Sequence, residues 1–232
     1  YYYICKKNTM DQLLSTFKIT IPEGVFIKDP ETSVLGKNII TQGMELIHEM
    51  GFDGFTFKKL GTHIGSNESS IYRYFENKHK FLLYLSSWYW AWVEYNLVME
   101  THSITDPKEK IIQAVTVLTR KVDNDSSNTP INLVLIHKIM ISEFSKSFLT
   151  KSVDQENEQG LFVAYKRVHS RLQGFIKVAN PSYNFSASLA NTILAGVLQQ
   201  YYYKDHFPSL TDCSDINEPC NYYINLIYKT LY

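Results

Sequence analysis

Residues 56–80 read TFKKLGTHIGSNESSIYRYFENKHK, and this stretch predicts two short helices joined by a tight turn. Phe57 and Leu60 recur at the spacing of one helical face, and Thr56 stands before them as a candidate N-cap. Gly65 follows where a residue without a Cβ can end the helix in the left-handed conformation. The pattern is typical of a helix, a turn and a second helix.

The second helix is predicted to start at one of two capping residues, Ser66 or Asn67, and to run to Phe75. Successive helical residues turn by about 100°, so if Ile71 faces the core, Ser69 and Arg73 point away from it. The residues on the two shoulders of this helix are Glu68 and Tyr72 on one side, and Ser70 and Tyr74 on the other.

This arrangement suits a helix that enters the major groove of DNA. Arginine can bind guanine with two hydrogen bonds, and serine can contact any base pair. Tyrosine hydroxyls and lysines can hold phosphates, and Lys78 opens the following helix near its positive end. The residues predicted to contact DNA are Thr56, Lys58, Asn67, Glu68, Ser69, Ser70, Tyr72, Arg73, Tyr74 and Lys78.

The charge of this stretch differs from that of the chain. Residues 56–80 contain five lysines and arginines and two glutamates, whereas the whole chain has 23 basic and 23 acidic residues. No global field therefore draws the chain to nucleic acid, and any affinity for DNA must come from a local patch.

The order of these residues resembles the helix-turn-helix of the TetR/AcrR family of transcriptional regulators. The positions that carry the resemblance are Thr56, Leu60, Gly61, Gly65, Ser66, Asn67, Ser70, Ile71, Tyr72, Tyr74, Phe75 and Lys78. The sequence departs from the family pattern at Gly61, where alanine is usual, and at Ser66-Asn67, where Val-Ser is usual. The resemblance covers about residues 33–85, and beyond them it rests on length and helical layout.

The resemblance implies a homodimer that binds a pseudo-palindromic operator in double-stranded DNA, usually as a repressor released by a small molecule. It places the dimer interface on about 184–206 and 217–231. It places the effector pocket within the C-terminal helices, where we expect an apolar or aromatic ligand. The candidate pocket residues are Trp88, Trp92, Tyr95, Phe162 and Tyr165, although for each one singly the composition favours an ordinary core residue.

The predicted fold is all-α, with a three-helix DNA-binding domain, a C-terminal helical bundle and a short N-terminal extension. The domains are expected at 1–32, 33–79 and 80–232. Apolar periodicity predicts helices over 33–50, 78–104, 107–122, 131–144, 157–179, 182–204 and 217–231, besides the two short ones. In the extension, FKITIPEGVFIKDP (17–30) predicts either a β-hairpin or an extended arm.

Composition bounds the remaining possibilities. The 232 residues include 44% apolar ones, enough for a sizeable core, and no apolar run is long enough for a membrane span. Three cysteines without paired spacing and no secretory leader predict reduced thiols and a cytoplasmic protein. Cys213, Cys220 and His206 match no common metal site, and His137 is expected to be a core histidine rather than a ligand.

Two other function classes share some of these features. A structural or nucleoid-associated protein could use the same scaffold to bind DNA without an effector. An enzyme or carrier could retain the helical bundle and lose DNA binding, although the intact Tyr72, Tyr74 and Lys78 argue against it. The sequence has no phosphate-binding loop, dinucleotide fingerprint, zinc signature or nucleophile elbow, so we predict no catalytic residues, no cofactor and no metal.

Overall fold

The structure is a computed structural model that describes residues 19–122, 131–213 and 218–232. These residues form ten α-helices and no strand, so the all-α prediction is confirmed. The helices are α1 (Val34–Gly54), α2 (Phe57–His63), α3 (Glu68–Tyr72), α4 (Lys78–Thr101), α5 (Pro107–Leu118), α6 (Leu133–Glu143), α7 (Val153–Glu158), α8 (Val163–Ala179), α9 (Ser186–His206) and α10 (Glu218–Leu231).

The described residues divide into two compact units. The first contains the chain up to Trp88 and Val122–Leu161, and the second contains Tyr89–Lys121 and the chain from Phe162 onward. Helix α4 begins in the first unit and ends in the second. The three-part division at 32/33 and 79/80 stays a prediction.

The first unit is built around α1. Ser33 caps this helix by accepting a hydrogen bond from the Gly36 N–H at 3.0 Å. Gly51, with φ of 72°, bends the chain near the end of α1 and turns the following residues inward. Phe52 and Phe55 are buried there.

Aromatic rings fill the core of the first unit. Phe81 stacks on Phe55 with 5.6 Å between ring centroids and meets Phe75 edge-on at 5.1 Å. Phe81 also lies against Gly43 of α1, where an added Cβ would meet the ring at 2.5 Å. These contacts join α1 and the start of α4 to the segment that follows α3.

Helix α4 is buried on almost every side, as its sequence predicts. Every residue from Phe81 to Ala91 is buried. In the described part of the chain, no helix is both long enough and apolar enough to cross a membrane.

The chain between 144 and 163 differs from its prediction. A single helix was expected over 157–179, but α7 ends at Glu158 and α8 starts at Val163. Gly160 takes a φ of 77° in between, a conformation that ends a helix and that glycine adopts without strain. The first turn of the predicted helix therefore belongs to a separate element.

In the second unit, α8 packs on α5 and α9, and α10 packs on α5 and α9. The Tyr201 hydroxyl of α9 donates to the Thr119 carbonyl at 2.7 Å. Gly196 faces the Tyr223 ring of α10 so closely that a Cβ would collide with its hydroxyl. Gly196 thus lets α10 approach α9 closely.

The N-terminal extension is described only in part, because residues 1–18 lie outside the described residues. From Ile19 onward the chain makes a turn at Gly24, with φ of 88°, and has no strand. The Ile27 N–H donates to the Tyr74 carbonyl at 2.8 Å. The described part is thus an arm that contacts the first unit, and the alternative of a β-hairpin finds no paired strands there.

Candidate nucleic-acid interface

The interface begins with α2, whose first turn is capped as the sequence predicts. The Thr56 hydroxyl oxygen accepts a hydrogen bond from the Lys59 N–H at 3.2 Å. Phe57 and Leu60 are buried beneath the helix. Thr56 and Lys58 are exposed above it.

The turn between α2 and α3 is set by two glycines. Gly65 has a φ of 65°, which a residue with a Cβ would rarely adopt. The Ser66 N–H donates to the Gly61 carbonyl at 2.8 Å. At Gly61 a Cβ would lie 3.0 Å from the Ser66 carbonyl oxygen, so the two helices meet here with little space between them.

Asn67 is the N-cap of α3, which resolves the choice between Ser66 and Asn67. Its side-chain oxygen accepts from the Ser70 N–H at 2.9 Å and from the Ser69 and Ser70 hydroxyls at 2.8 and 2.6 Å. One oxygen therefore fixes the first turn of α3 and the orientation of both serines.

The outward face of α3 presents the two residues expected there. Ile71 is fully buried, while Ser69 and Arg73 are exposed. Among the described residues, the Arg73 guanidinium has no ion pair or hydrogen bond, and neither has the Lys58 ammonium. Both charges are thus available to a polyanion such as DNA.

Tyr72 packs its ring against the protein and is also partly exposed at the surface. Its ring packs edge-on against Phe57 with 5.2 Å between centroids, and 45% of the residue is exposed. Its hydroxyl donates to the Glu68 carboxylate at 3.1 Å, and this hydrogen bond raises the pKa of Tyr72. The pair lies on one shoulder of α3, as predicted.

Tyr74 lies elsewhere than the helical pattern predicted. The residue is only 4% exposed, and its hydroxyl shares a 2.8 Å hydrogen bond with the Ser33 hydroxyl. Helix α3 ends at Tyr72, so Tyr74 lies two residues beyond it. The helical spacing that would place Tyr74 on a shoulder therefore no longer applies. The Tyr74 ring is therefore buried, and its hydroxyl contacts Ser33, the residue that caps α1, instead of a DNA groove.

Lys78 also contacts protein, where a phosphate contact was predicted. Its ammonium donates to the carbonyls of Phe52, Asp53 and Phe55 at 2.9, 3.2 and 3.2 Å. These groups end α1 and have no helical N–H partner of their own. A lysine has three N–H donors, so all of those on Lys78 are used within the first unit.

Three further side chains, those of Asp53, Glu143 and Lys146, hold the same turn, and none of them was predicted from the sequence. The Phe52 N–H donates to the buried Glu143 carboxylate at 3.2 Å, and Lys146 pairs with Glu143 at 2.9 Å and with Asp53 at 2.6 Å. The hydrogen bond from Lys146 lowers the pKa of Asp53. No local pattern could reveal the contacts that Glu143 and Lys146 make with Phe52 and Asp53, because they join residues about ninety positions apart.

The five predicted pocket residues differ in burial. Trp88 is buried within the first unit, whereas Trp92, Tyr95, Phe162 and Tyr165 are half-buried in the second. The Tyr165 hydroxyl donates to Asn191 at 2.8 Å. A cavity of about 10 Å³ near them, lined by other residues, has room for one water molecule.

Candidate metal ligands are dispersed in the described part of the chain. Cys213 is buried with its sulfur 3.5 Å from Gln200, and Cys220 lies 3.8 Å from Thr116. His137 is buried in α6, and burial lowers its pKa to about 4. Among these described residues, no three His, Cys, Asp or Glu side chains gather at a metal site.

Residues 39–85 match the family described as "Bacterial regulatory proteins, tetR family". The match spans α2, α3 and the turn between them, together with most of α1 and the start of α4. Residues 39–85, which we call the TetR-type head, are thus similar to this family of regulators. The predicted helix-turn-helix of this TetR-type head is confirmed.

Solved structures share the fold over more than four fifths of this chain. AibR, solved with isovaleryl coenzyme A and operator DNA, is 12% identical with a TM-score of 0.58 over 82% of this chain and 97% of that one. The fatty acid degradation regulator FadR from Bacillus halodurans is 15% identical with a TM-score of 0.58 over 86% and 95%. No curated protein sequence matches the chain.

The same fold also occurs in a protein described as a superantigen. The superantigen PfiT is 14% identical with a TM-score of 0.56 over 86% of this chain and 97% of that one. A TetR-like fold alone therefore does not establish DNA binding, and the argument for it rests on the residues of the TetR-type head.

Proposed function

We propose that the protein is a homodimeric transcriptional regulator that binds a specific DNA operator and responds to a small molecule. The observation that carries this proposal is the outward face of α3, where Ser69 and Arg73 are exposed above a buried Ile71 and Arg73 has no ion pair with any described residue. Arg73 would read a guanine in the major groove, and Lys58 would contact a phosphate. AibR, which shares the fold, was solved with operator DNA.

The reading of bases is tested by Arg73→Ala. We expect the variant to lose about 1–3 kcal/mol of binding free energy on the operator and to relax sequence choice at one base pair. The operator would first be selected from random duplexes, and affinity would be measured by fluorescence anisotropy on operator and random DNA. Lys177→Ala, an exposed cation of α8, is the matched control. Equal losses on operator and random DNA would contradict the proposal.

A dimer would use the exposed faces of α9 and α10. On α9 this face carries the exposed small residues Ala187 and Ala195, which would allow a second helix to come close. Two-fold symmetry would then place two α3 helices about one DNA turn apart, roughly 34–36 Å, or a multiple of it. Such a dimer requires a pseudo-palindromic operator.

The dimer is tested by light scattering on the purified chain and on Ala195→Arg. We expect a dimer for the wild type and a monomer for the variant, because two-fold symmetry brings like charges together. Ser103→Arg adds the same charge at an exposed position outside α9 and α10 and should leave the dimer intact. A monomeric wild type with full operator affinity would refute this part of the proposal.

The proposed response to a ligand depends on α4, because this helix begins in the first unit and ends in the second. A ligand can shift the equilibrium between two arrangements of the protein only by the difference between its binding free energies for them. We propose that the shift releases DNA, which makes the protein a repressor. Genome-wide mapping of bound sites tests this role: a few sites near regulated genes support it, whereas many scattered sites would indicate a structural DNA-binding protein.

A further inference from the structure

A groove in the second unit runs between the start of α5 and the C-terminal half of α8. Its volume is about 390 Å³, within the range of roughly 300–1,000 Å³ that is usual for ligand pockets. Pro107, Phe175 and Val178 give it apolar walls. Lys110 and Arg171 also line it, and no acidic residue does.

Gly174 keeps the groove open. It lies inside α8, where glycine costs about 1 kcal/mol of helix stability relative to alanine. A Cβ built on Gly174 has no atom within 4 Å, so no neighbouring side chain or backbone requires a glycine there. The space above it belongs to the groove, and a larger residue would enter that space without a clash.

The cationic side of the groove is held in place by a buried acid. Glu94 of α4 accepts one hydrogen bond from Arg171 at 2.9 Å and another from Arg167 at 2.7 Å. Its side chain is 11% exposed, whereas both arginines are nearly half exposed. One carboxylate faces two guanidiniums, so the cluster keeps an excess positive charge.

The contact with Glu94 orients Arg171 but occupies only one of its nitrogen donors. It donates to Glu94 through Nε alone, and its terminal nitrogens make no further hydrogen bond among the described residues. Lys110 stands on the opposite wall, with its ammonium 5.8 Å from the Phe175 ring centroid. Two cations thus converge on a space whose other walls are apolar.

We propose that this groove binds an amphiphilic organic anion, with its carboxylate between Arg171 and Lys110 and its apolar part against Phe175 and Val178. A guanidinium edge binds a carboxylate with directed, charge-assisted hydrogen bonds. The open space at Gly174 accommodates the chain of the ligand. Binding in the groove does not depend on the TetR-type head. Only the use of the groove as an effector site rests on the proposed function.

Three probes with one tail and different heads test the charge. Decanoate, decanol and decyltrimethylammonium would each be titrated into the full-length protein by isothermal calorimetry, without DNA. We expect decanoate to bind at one site per chain, and the two others to bind about tenfold more weakly or worse. Equal binding of the cationic probe, or no binding of decanoate, would overturn the proposal.

Variants at Gly174 test whether decanoate binds in this groove. Gly174→Phe should fill the groove and weaken decanoate binding by about tenfold or more, whereas Gly174→Ala should bind decanoate nearly as well as the wild type. Both replacements favour the helix over glycine, so loss of binding would not reflect unfolding. Decanoate binding that is unchanged in Gly174→Phe would refute the assignment to this groove.

The charges of the groove give a second, independent check. Lys110→Gln should weaken decanoate binding by several fold, and Lys177→Gln, which removes an exposed lysine of α8 outside the lining, should not. A subsequent titration of operator DNA with bound decanoate separates the two proposals. If decanoate binds in the groove but operator affinity is unchanged, the site stands and its role as effector site fails.

Discussion

Replacing Lys78 by methionine separates two roles that the sequence and the structure give to this residue. The sequence predicts that its ammonium contacts a DNA phosphate. In the structure, its three N–H groups donate to the carbonyls of Phe52, Asp53 and Phe55. We therefore expect Lys78→Met to destabilise the head without removing a contact to DNA.

The size of the effect follows from the contacts. A hydrogen bond from a charged donor contributes about 1.5–3 kcal/mol when buried. Here two of the three are half-buried and one is exposed, and methionine keeps most of the apolar stem over the Phe52 ring. We expect a net loss of about 2 kcal/mol, which corresponds to a melting temperature lower by about 4–8 °C in a chain of this size.

The assay pairs thermal unfolding with the salt dependence of DNA binding. The slope of log affinity against log salt concentration should stay unchanged in Lys78→Met, because no phosphate contact is lost. Lys58→Met is the matched control: its exposed ammonium has no protein partner in the described residues, so its slope should fall by about one unit with an unchanged melting temperature. A slope lowered by one unit in Lys78→Met, at normal stability, would refute this reasoning.

Three further substitutions test contacts within the chain. Tyr74→Phe should cost about 0.5–1.5 kcal/mol of unfolding free energy in urea titrations and leave the salt slope of DNA binding unchanged, because its hydroxyl bonds Ser33. Glu143→Leu should cost about 1–3 kcal/mol by leaving the Phe52 N–H without an acceptor, and Glu143→Gln, which keeps one, should cost less than half of that. His137 has a folded pKa of about 4, below its unfolded value of about 6.5, so the unfolded chain takes up its proton first and stability falls by up to about 3 kcal/mol as pH drops from about 6.5 to 4. His137→Leu should remove that fall, whereas replacing the exposed His102 by glutamine should preserve it; a wild-type pH slope in His137→Leu would contradict the assignment.

Local signals in the sequence predicted most of the helices and the outward face of α3. Capping residues such as Thr56 act within one turn of their own position, so they can be read from neighbouring residues. The face of α3 could be predicted because Ile71 fixes the rotation of the helix. Where two residues cap equally well, as Ser66 and Asn67 do, only the backbone geometry decides between them.

The same rotation rule failed just beyond the end of α3. Assigning Tyr74 to a shoulder assumes that the helix continues to Phe75, but its last helical residue is Tyr72. Ends of helices are the least certain part of a sequence-based prediction, since each residue there forms fewer hydrogen bonds. The partner of Lys78 was missed for a different reason, because its contacts span more than twenty residues of sequence.

The charges of the first unit separate into two groups with different work. Lys78, Glu143 and Lys146 neutralise each other or the end of α1, and they fix the turn that precedes α2. Lys58 and Arg73 stay exposed above that turn. Salt screens exposed charges more than buried ones, so rising ionic strength should weaken DNA binding long before it loosens the head. Because Glu143 ends α6 and accepts from the Phe52 N–H, we expect a rearrangement of α6 to affect first the turn that precedes α2.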